Sequence, residues 1–218
     1  MSDARARILG DIRGALNRTG PLPESISRTL ESRLARPRRN LVPAIGDDHV
    51  GRFIDRLEAV SGKVTRVDRI ESVAEVVAAQ LDRHRLGDRL VVAPDPALDG
   101  IPWSNRLVVE RRAAAGDDRL SVTGAYAAVA ETGSVVLLSS AESPTTLNFL
   151  PDDHVVVVHE RQIVAHIEDV WVRMRADKRA MPRTVNVITG PSKTADVEQT
   201  IQEGAHGPRR FHVILVAG

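Results

Sequence analysis

Two short polar stretches in this chain hold the residue types that bind and react. Glu131-Thr132-Gly133 places a carboxylate, a hydroxyl and a flexible backbone position directly before the apolar run Val135 to Leu138. Glycine lets the backbone turn tightly or come close to a ligand. Glu131 is thereby a candidate base or nucleophile, with Thr132 and Gly133 as ligand-binding neighbours. The second stretch is Gly190-Pro191-Ser192-Lys193-Thr194, after the apolar residues 184–189. Read with Ala195 to Glu198, it is a strand that ends in glycine and passes through hydroxyls into a short helix. The free N–H groups and dipole of a helix start attract anions, and Lys193 adds a mobile charge. Asp196 and Glu198 would oppose an anion there while helping the helix. A Walker loop needs a second glycine before the lysine, which is missing, and no G-x-G-x-x-G occurs. From local pattern alone, each stretch is equally a capped turn.

The histidines add a third wall. His206 lies between Gly204 and Gly207, in a turn before the last apolar run. His154 stands at the start of the run Val155 to Val158. Open α/β sheets bind ligands at the carboxyl ends of strands, so His206 suits a site better than His154 does. His212 falls inside a predicted core strand and reads as a satisfied core residue. No histidine pair has a zinc spacing, so no metal site is expected. The chain contains no cysteine. Disulfides, thiolate metal sites, iron–sulfur ligation and cysteine nucleophiles are therefore excluded within it.

These residues need a scaffold, and the sequence outlines one. Asp47 and Asp48 suit a helix start, and Val50, Phe53, Ile54, Leu57 and Val60 form an apolar stripe ended by Gly62. Residues 63–67, 89–93 and 106–110 read as strands. Residues 72–83 and 167–176 read as helices, and Phe211 to Val216 as a last buried strand. This order predicts an α/β fold. The four short apolar runs Val135–Leu138, Val155–Val158, Val185–Thr189 and Val213–Val216 suggest strands buried on both faces of one mainly parallel sheet. Residues 1–45 read as an N-terminal helix and a Pro/Arg-containing arm, and residues 46–218 as the α/β domain. In the arm, Ile8, Ile12 and Leu16 recur at helical spacing, as do Ile26, Leu30 and Leu34. Arg36, Arg38 and Arg39 form a basic cluster that could touch RNA or a phosphate.

Composition narrows the function. Net charge is +1 and aromatics are 3% of residues, so stacking platforms for single-stranded nucleic acid are few. The first twenty residues hold no apolar signal core and no run reaches membrane-spanning length, so a cytoplasmic protein is expected.

Four motifs in order resemble the lactate-utilization protein C family, the LUD domain or LutC/YkgG family. They are Ala130-Glu-Thr-Gly-Ser134 with its strand, Leu150-Pro-Asp-Asp-His-Val-Val-Val-Val158, Ile188-Thr-Gly-Pro-Ser-Lys-Thr-Ala-Asp-Val-Glu198 and Gly204-Ala-His-Gly-Pro208. The resemblance runs from about residue 45 to the C-terminus. It implies a three-layer α/β/α fold of the NagB/RpiA/CoA-transferase-like group. It also implies an accessory or regulatory role in oxidising L-lactate to pyruvate, alongside two iron–sulfur partner proteins that carry the redox centres. A small anionic ligand is expected at Thr132, Gly133, Gly190, Ser192, Lys193, Thr194 and His206. An alternative is a stand-alone acyl- or CoA-transfer enzyme using Glu131; a second is a nucleic-acid binder through the basic arm.

Overall fold

The computed structural model describes residues 2–18, 20–37, 41–178, 180–194 and 202–217. The chain divides into two compact units, Met1–Leu41 and Val42–Gly218. The first unit holds helix α1 (Ser2–Ala15) and helix α2 (Glu24–Ala35). The apolar stripes predicted for them are present, but Ile8, Ile12, Leu16, Ile26, Leu30 and Leu34 are all exposed. Arg36 follows α2, whereas Arg38 and Arg39 lie outside the described residues.

The second unit is built on six parallel strands: β1 (Lys63–Val67), β2 (Arg89–Val92), β3 (Val108–Arg111), β4 (Leu120–Gly124), β7 (Asp153–His159) and β12 (Arg210–Val216). Their order across the sheet is β1-β12-β7-β4-β2-β3. The central pair, β7 and β12, is in register from Asp153↔Arg210 to His159↔Val216. β-Branched residues fit this position because both faces are buried. Val155 and Val157 enter a core with Val77 and Leu81 of helix α4 (Val73–His84). Val156 and Val158 enter an opposite core with Phe53 and Leu57 of helix α3 (His49–Glu58). Asp48 caps α3 as predicted, its carboxylate accepting from the Gly51 N–H at 2.8 Å.

A second sheet shares the α3 side. It contains β5 (Ala127–Val129), β6 (Ser134–Leu138), β8 (Ile163–Val164) and β9 (Val185–Ile188), in the order β8-β5-β6-β9. Its inner residues Ala128, Val135 and Leu137 join the α3 core. Its outer residues Ala127, Val129 and Val136 pack on Val170 and Met174 of helix α5 (Ile167–Ala176). The chain is thus mixed α/β with a mostly parallel central sheet, and the placement of two runs is corrected. Val135–Leu138 and Val185–Ile188 are antiparallel partners in the second sheet, not members of the parallel one. The reason is connection length. Only Ala130 to Gly133 separates β5 from β6, and so short a link can join antiparallel strands alone; a parallel pair needs a crossover of a dozen or more residues. Nor is β9 buried on both faces, since Val187 is exposed.

The amino ends of the central strands bury polar groups, and each needs a partner. Asp153 accepts from Arg210 Nε at 2.6 Å on one oxygen and from Gln80 Nε2 at 2.8 Å on the other. Since Gln80 donates there, its carbonyl accepts from His212 Nδ1–H, and His212 Nε2 then accepts from the Thr65 hydroxyl at 2.8 Å. His212 is thus a satisfied core residue. His154 sits at no strand mouth: it is fully buried, bonded to Thr123 Oγ1 at 2.8 Å, with Nδ1 unpartnered and the ring edge-on to Phe211.

Burial pushes both imidazoles down to about 3; for His212, Lys63, Arg83 and His84 push the same way. Both are therefore neutral in the fold and protonate readily once unfolded. The stability they contribute is complete above the ordinary histidine value of about 6.5 and is lost as pH falls from there toward 3. Urea unfolding at pH 7.5 and pH 5 should differ by up to about 2 kcal/mol for each of the two. His154→Gln should flatten that dependence. Equal stability at the two pH values would refute the assignment.

Candidate functional site

The β5–β6 hairpin reaches from one end of the second sheet to the other, and polar residues gather at both ends. Its tip is Glu131-Thr132-Gly133. Gly133 has φ +71, and its N–H closes the turn on Val129 O at 2.9 Å. A Cβ at this position would sit 2.5 Å from Leu57 N. Only glycine allows the tip to rest on the α3 backbone.

Glu131 points away from the glycine side. Its N–H donates to Ala165 O at 3.0 Å, which fixes the tip against β8. Its carboxylate lies 3.0 Å from His166 Nδ1. His166 sits just before α5, and its backbone N–H donates to Asp169 Oδ2 at 3.0 Å. The His166 side chain is 8% exposed and that of Glu131 22%. This is a positioned carboxylate–imidazole pair with one member open to solvent, and such a pair can move a proton.

The other side of the tip is a chain of hydroxyls. Thr132 Oγ1 lies 2.7 Å from Ser134 Oγ, which lies 2.5 Å from Thr189 Oγ1 at the end of β9. The antiparallel pairing of β6 with β9 brings Gly190 to the same end as the tip. Gly190 has φ +90 and rests on Val60. Lys193 Nζ donates to Ser61 Oγ at 2.7 Å, just past α3.

The predicted helix start at Ser192–Thr194 is corrected. Lys193–Thr194 form strand β10, paired antiparallel with β11 (Gln202–Glu203). Residues 195–201, including Asp196 and Glu198, lie outside the described residues. The Ser192 N–H donates to Pro208 O and the Ser192 carbonyl accepts from the Gly204 N–H, both at 2.9 Å. These N–H groups close a turn and are not presented to an anion. His206 is exposed beside this turn.

The fold therefore gathers Thr132, Gly133 and Gly190 at one end of the second sheet. Among the described residues, no hydrogen bond joins residues 131–133 to Ser192, Lys193, Thr194 or His206. Four members were not foreseen: Ser61, Ser134, Thr189 and His166. His166 had a readable signal, since Asp169 three residues on is the spacing of a reciprocal helix cap.

At the opposite end of the hairpin is a cleft of about 300 Å3 at the carboxyl ends of β2 and β4. This is where open parallel sheets bind ligands. Asp95, Tyr126, Ser140, Glu142, Gln162 and Arg173 contribute to its wall. A Cβ on Gly124 would sit 2.9 Å from Asp95 Oδ2, so glycine lets that carboxylate approach. Tyr126 donates its hydroxyl to Asp177 Oδ2 at 2.7 Å, and the Arg173 guanidinium lies 5.2 Å from the tyrosine ring centre. Gln162 donates to Ala125 O at 2.5 Å. With Asp95, Glu142 and Asp177 facing Arg173, the field favours hydroxyl- or amine-bearing groups over free anions.

The fold and these turns define an α/β protein with a parallel central sheet and a polar hairpin laid across it. The LUD domain profile matches residues 50–216, and the chain belongs to that family. Among similar proteins, a lactate utilization protein C of Geobacillus thermodenitrificans is 31% identical over 117 residues, 52% of this chain and 49% of that one. A lactate utilization protein C of Deinococcus radiodurans is 38% identical over 96 residues, 44% of this chain and 45% of that one. The uncharacterized protein YkgG of Escherichia coli is 29% identical over 168 residues, 68% and 73% of the two chains. The chain spans about half the length of several of the curated relatives it matches, 49% and 53% for two of them. A crystal structure of a DUF162 family protein from Deinococcus radiodurans superposes with TM-score 0.58 at 23% identity, covering 81% of this chain and all of that one. It supports the fold.

Two substitutions separate the hairpin's backbone from its hydroxyls. Gly133→Ala forces a left-handed residue against the α3 backbone and should cost about 2 kcal/mol or more. Ser134→Ala breaks the hydroxyl chain and should cost about 1 kcal/mol. Urea unfolding reads both, and a neutral Gly133→Ala would show that the tip does not depend on this approach.

Proposed function

We propose that this protein is an accessory or regulatory subunit of a lactate-utilisation system. Its iron–sulfur partners hold the redox centres for oxidation of L-lactate to pyruvate, and this chain binds a small anionic ligand. One observation carries the reading: the LUD profile covers residues 50–216, and several similar proteins have the name lactate utilization protein C. The sequence agrees, since a chain without cysteine supplies no thiolate for an iron–sulfur cluster.

The anion belongs to the hairpin tip rather than to the acidic cleft. Lys193, Thr132 and Ser134 offer a cation and hydroxyls there, and Gly133 and Gly190 keep the backbone close. Ser192, Thr194 and His206 complete this wall in the proposal. The Glu131–His166 pair supports a second reading, an acyl- or CoA-transfer enzyme in which Glu131 attacks or removes a proton and His166 orients it.

Reconstitution distinguishes the two. The purified chain alone should give no lactate-dependent dye reduction. Addition of the two iron–sulfur proteins should produce it, and Lys193→Ala should weaken the dependence on this subunit at least threefold. Steady lactate oxidation by the chain alone would overturn the subunit reading. CoA transfer by the chain alone, lost in Glu131→Gln, would establish the second one.

A further inference from the structure

On its α4 face, opposite the face that the hairpin covers, the amino edge of the parallel sheet carries unbalanced charges. Lys63 opens β1 directly beside His212. Residues in register on parallel strands face the same way, so Lys63 points to the α4 side with His212 and Thr65. Gln80 of α4 bonds His212 from above. His84 lies one helical turn beyond Gln80 on the same helix face, and Arg83 lies beside it. Arg210 completes the edge.

Asp153 settles only one of these cations. Both Nε and a terminal nitrogen of Arg210 lie 2.6 Å from its Oδ1. Its second oxygen is taken by Gln80. Among the described residues, Lys63, Arg83 and His84 have neither an ion pair nor a side-chain hydrogen bond. A helix C-terminus attracts cations, which accounts for Arg83 and His84 at the end of α4. It does not account for Lys63, which a different element delivers.

We propose that Lys63, Arg83 and His84, converging over the buried Asp153–Gln80–His212–Thr65 chain, form a binding site for a small phosphate-class dianion, free or as the end group of a phosphate monoester. Two permanent cations and a titratable third match a double negative charge. A long polyanion does not fit, because residues 42–218 contain more acidic than basic side chains. A dianion would relieve the repulsion among these like charges. Lys63 is held below its ordinary value by burial and then by Arg83. His84 is lowered by burial, then by Arg210, with Arg83 and Lys63 adding and Asp153 opposing. His84 therefore takes up a proton as the dianion binds. The buried chain beneath keeps the strand ends and α4 in fixed register, so the cations are positioned before a ligand arrives.

Calorimetry in a phosphate-free buffer tests this on the full chain, with inorganic phosphate and glycerol 3-phosphate as probes. Saturable one-to-one binding is expected for the dianions and not for chloride or lactate. If both probes bind, phosphate itself is the ligand; if only the ester binds, a phosphorylated metabolite is. Lys63→Gln and Arg83→Gln should each weaken binding about tenfold, a loss of about 1.4 kcal/mol. His84→Gln should also abolish the dependence of the heat on buffer ionisation. Arg89→Gln, which removes an exposed cation paired with Glu110, should change nothing. Lys193→Ala should also change nothing, which separates this site from the hairpin tip. No saturable heat at millimolar phosphate, or binding indifferent to Lys63→Gln and Arg83→Gln, would overturn the proposal.

Discussion

The pairing of β7 with β12 is the constraint on which the rest depends. Both strands are buried on both faces, so every side chain along them must fit one of two cores. Valine and isoleucine satisfy that over most of their length. The exceptions are at the amino ends, where Asp153, His154 and His212 enter the interior. A buried carboxylate is tolerable only if paired and hydrogen-bonded. Arg210 and Gln80 provide this for Asp153, and the same contact draws α4 onto the sheet edge. Position on the sheet, rather than local sequence, decides which polar residues become structural.

The second sheet follows from this packing. A helix alone would cover the α3 face of the parallel sheet in a plain three-layer fold. Here α3 shares that face with the β5–β6 hairpin, and α5 covers the hairpin from outside. The hairpin therefore lies flat across the core with its two ends far apart. One end enters the cleft at the carboxyl edge of β2 and β4, beside acidic groups. The other meets α3 and the end of β9, beside hydroxyls and Lys193. The opposite characters of the two ends follow from which loops reach them, and they divide the chemistry the chain could offer.

Much of this was legible in the sequence. The stripe Phe53, Leu57, the capping Asp48 and the helix over 167–176 follow from spacing and end signals alone. The valine run of β7 and the apolar end of β12 announce strands buried on both faces. What failed was assignment to a sheet. A short apolar run does not state its neighbours, and Val135–Leu138 reads like Val155–Val158. The distinguishing evidence was the length of the link before it, Ala130 to Gly133, which forbids a parallel partner. Strand β4 was missed because Ser121, Thr123 and Gly124 break its apolar pattern; Ser121 is buried through a bond to Leu147 O, and Thr123 through one to His154. The polar cluster at the hairpin tip was half visible. Glu131, Thr132 and Gly133 stand together in the chain, whereas His166 and Thr189 join them only through tertiary pairing.

The short segment after α3 shows how tightly these requirements overlap. Leu57 carries Gly133 on its backbone, Val60 carries Gly190, and Ser61 accepts from Lys193. Ser61 has φ +71, an uncommon and strained conformation for a residue with a side chain. Glycine would relieve that strain but would remove the hydroxyl that Lys193 uses. Gly62 follows, and a Cβ there would meet Leu57 Cδ1 at 2.4 Å, so this position cannot accept a side chain. Lys63 is next, already on β1 and facing α4. Within seven residues the chain leaves a helix, supports two close backbone approaches, holds one end of a lysine contact and enters a parallel strand. Strain at Ser61 persists because contacts on both sides over-determine its geometry. The hairpin tip and the amino edge of the sheet are thus held by one rigid turn, and neither can move far without disturbing the packing of Leu57.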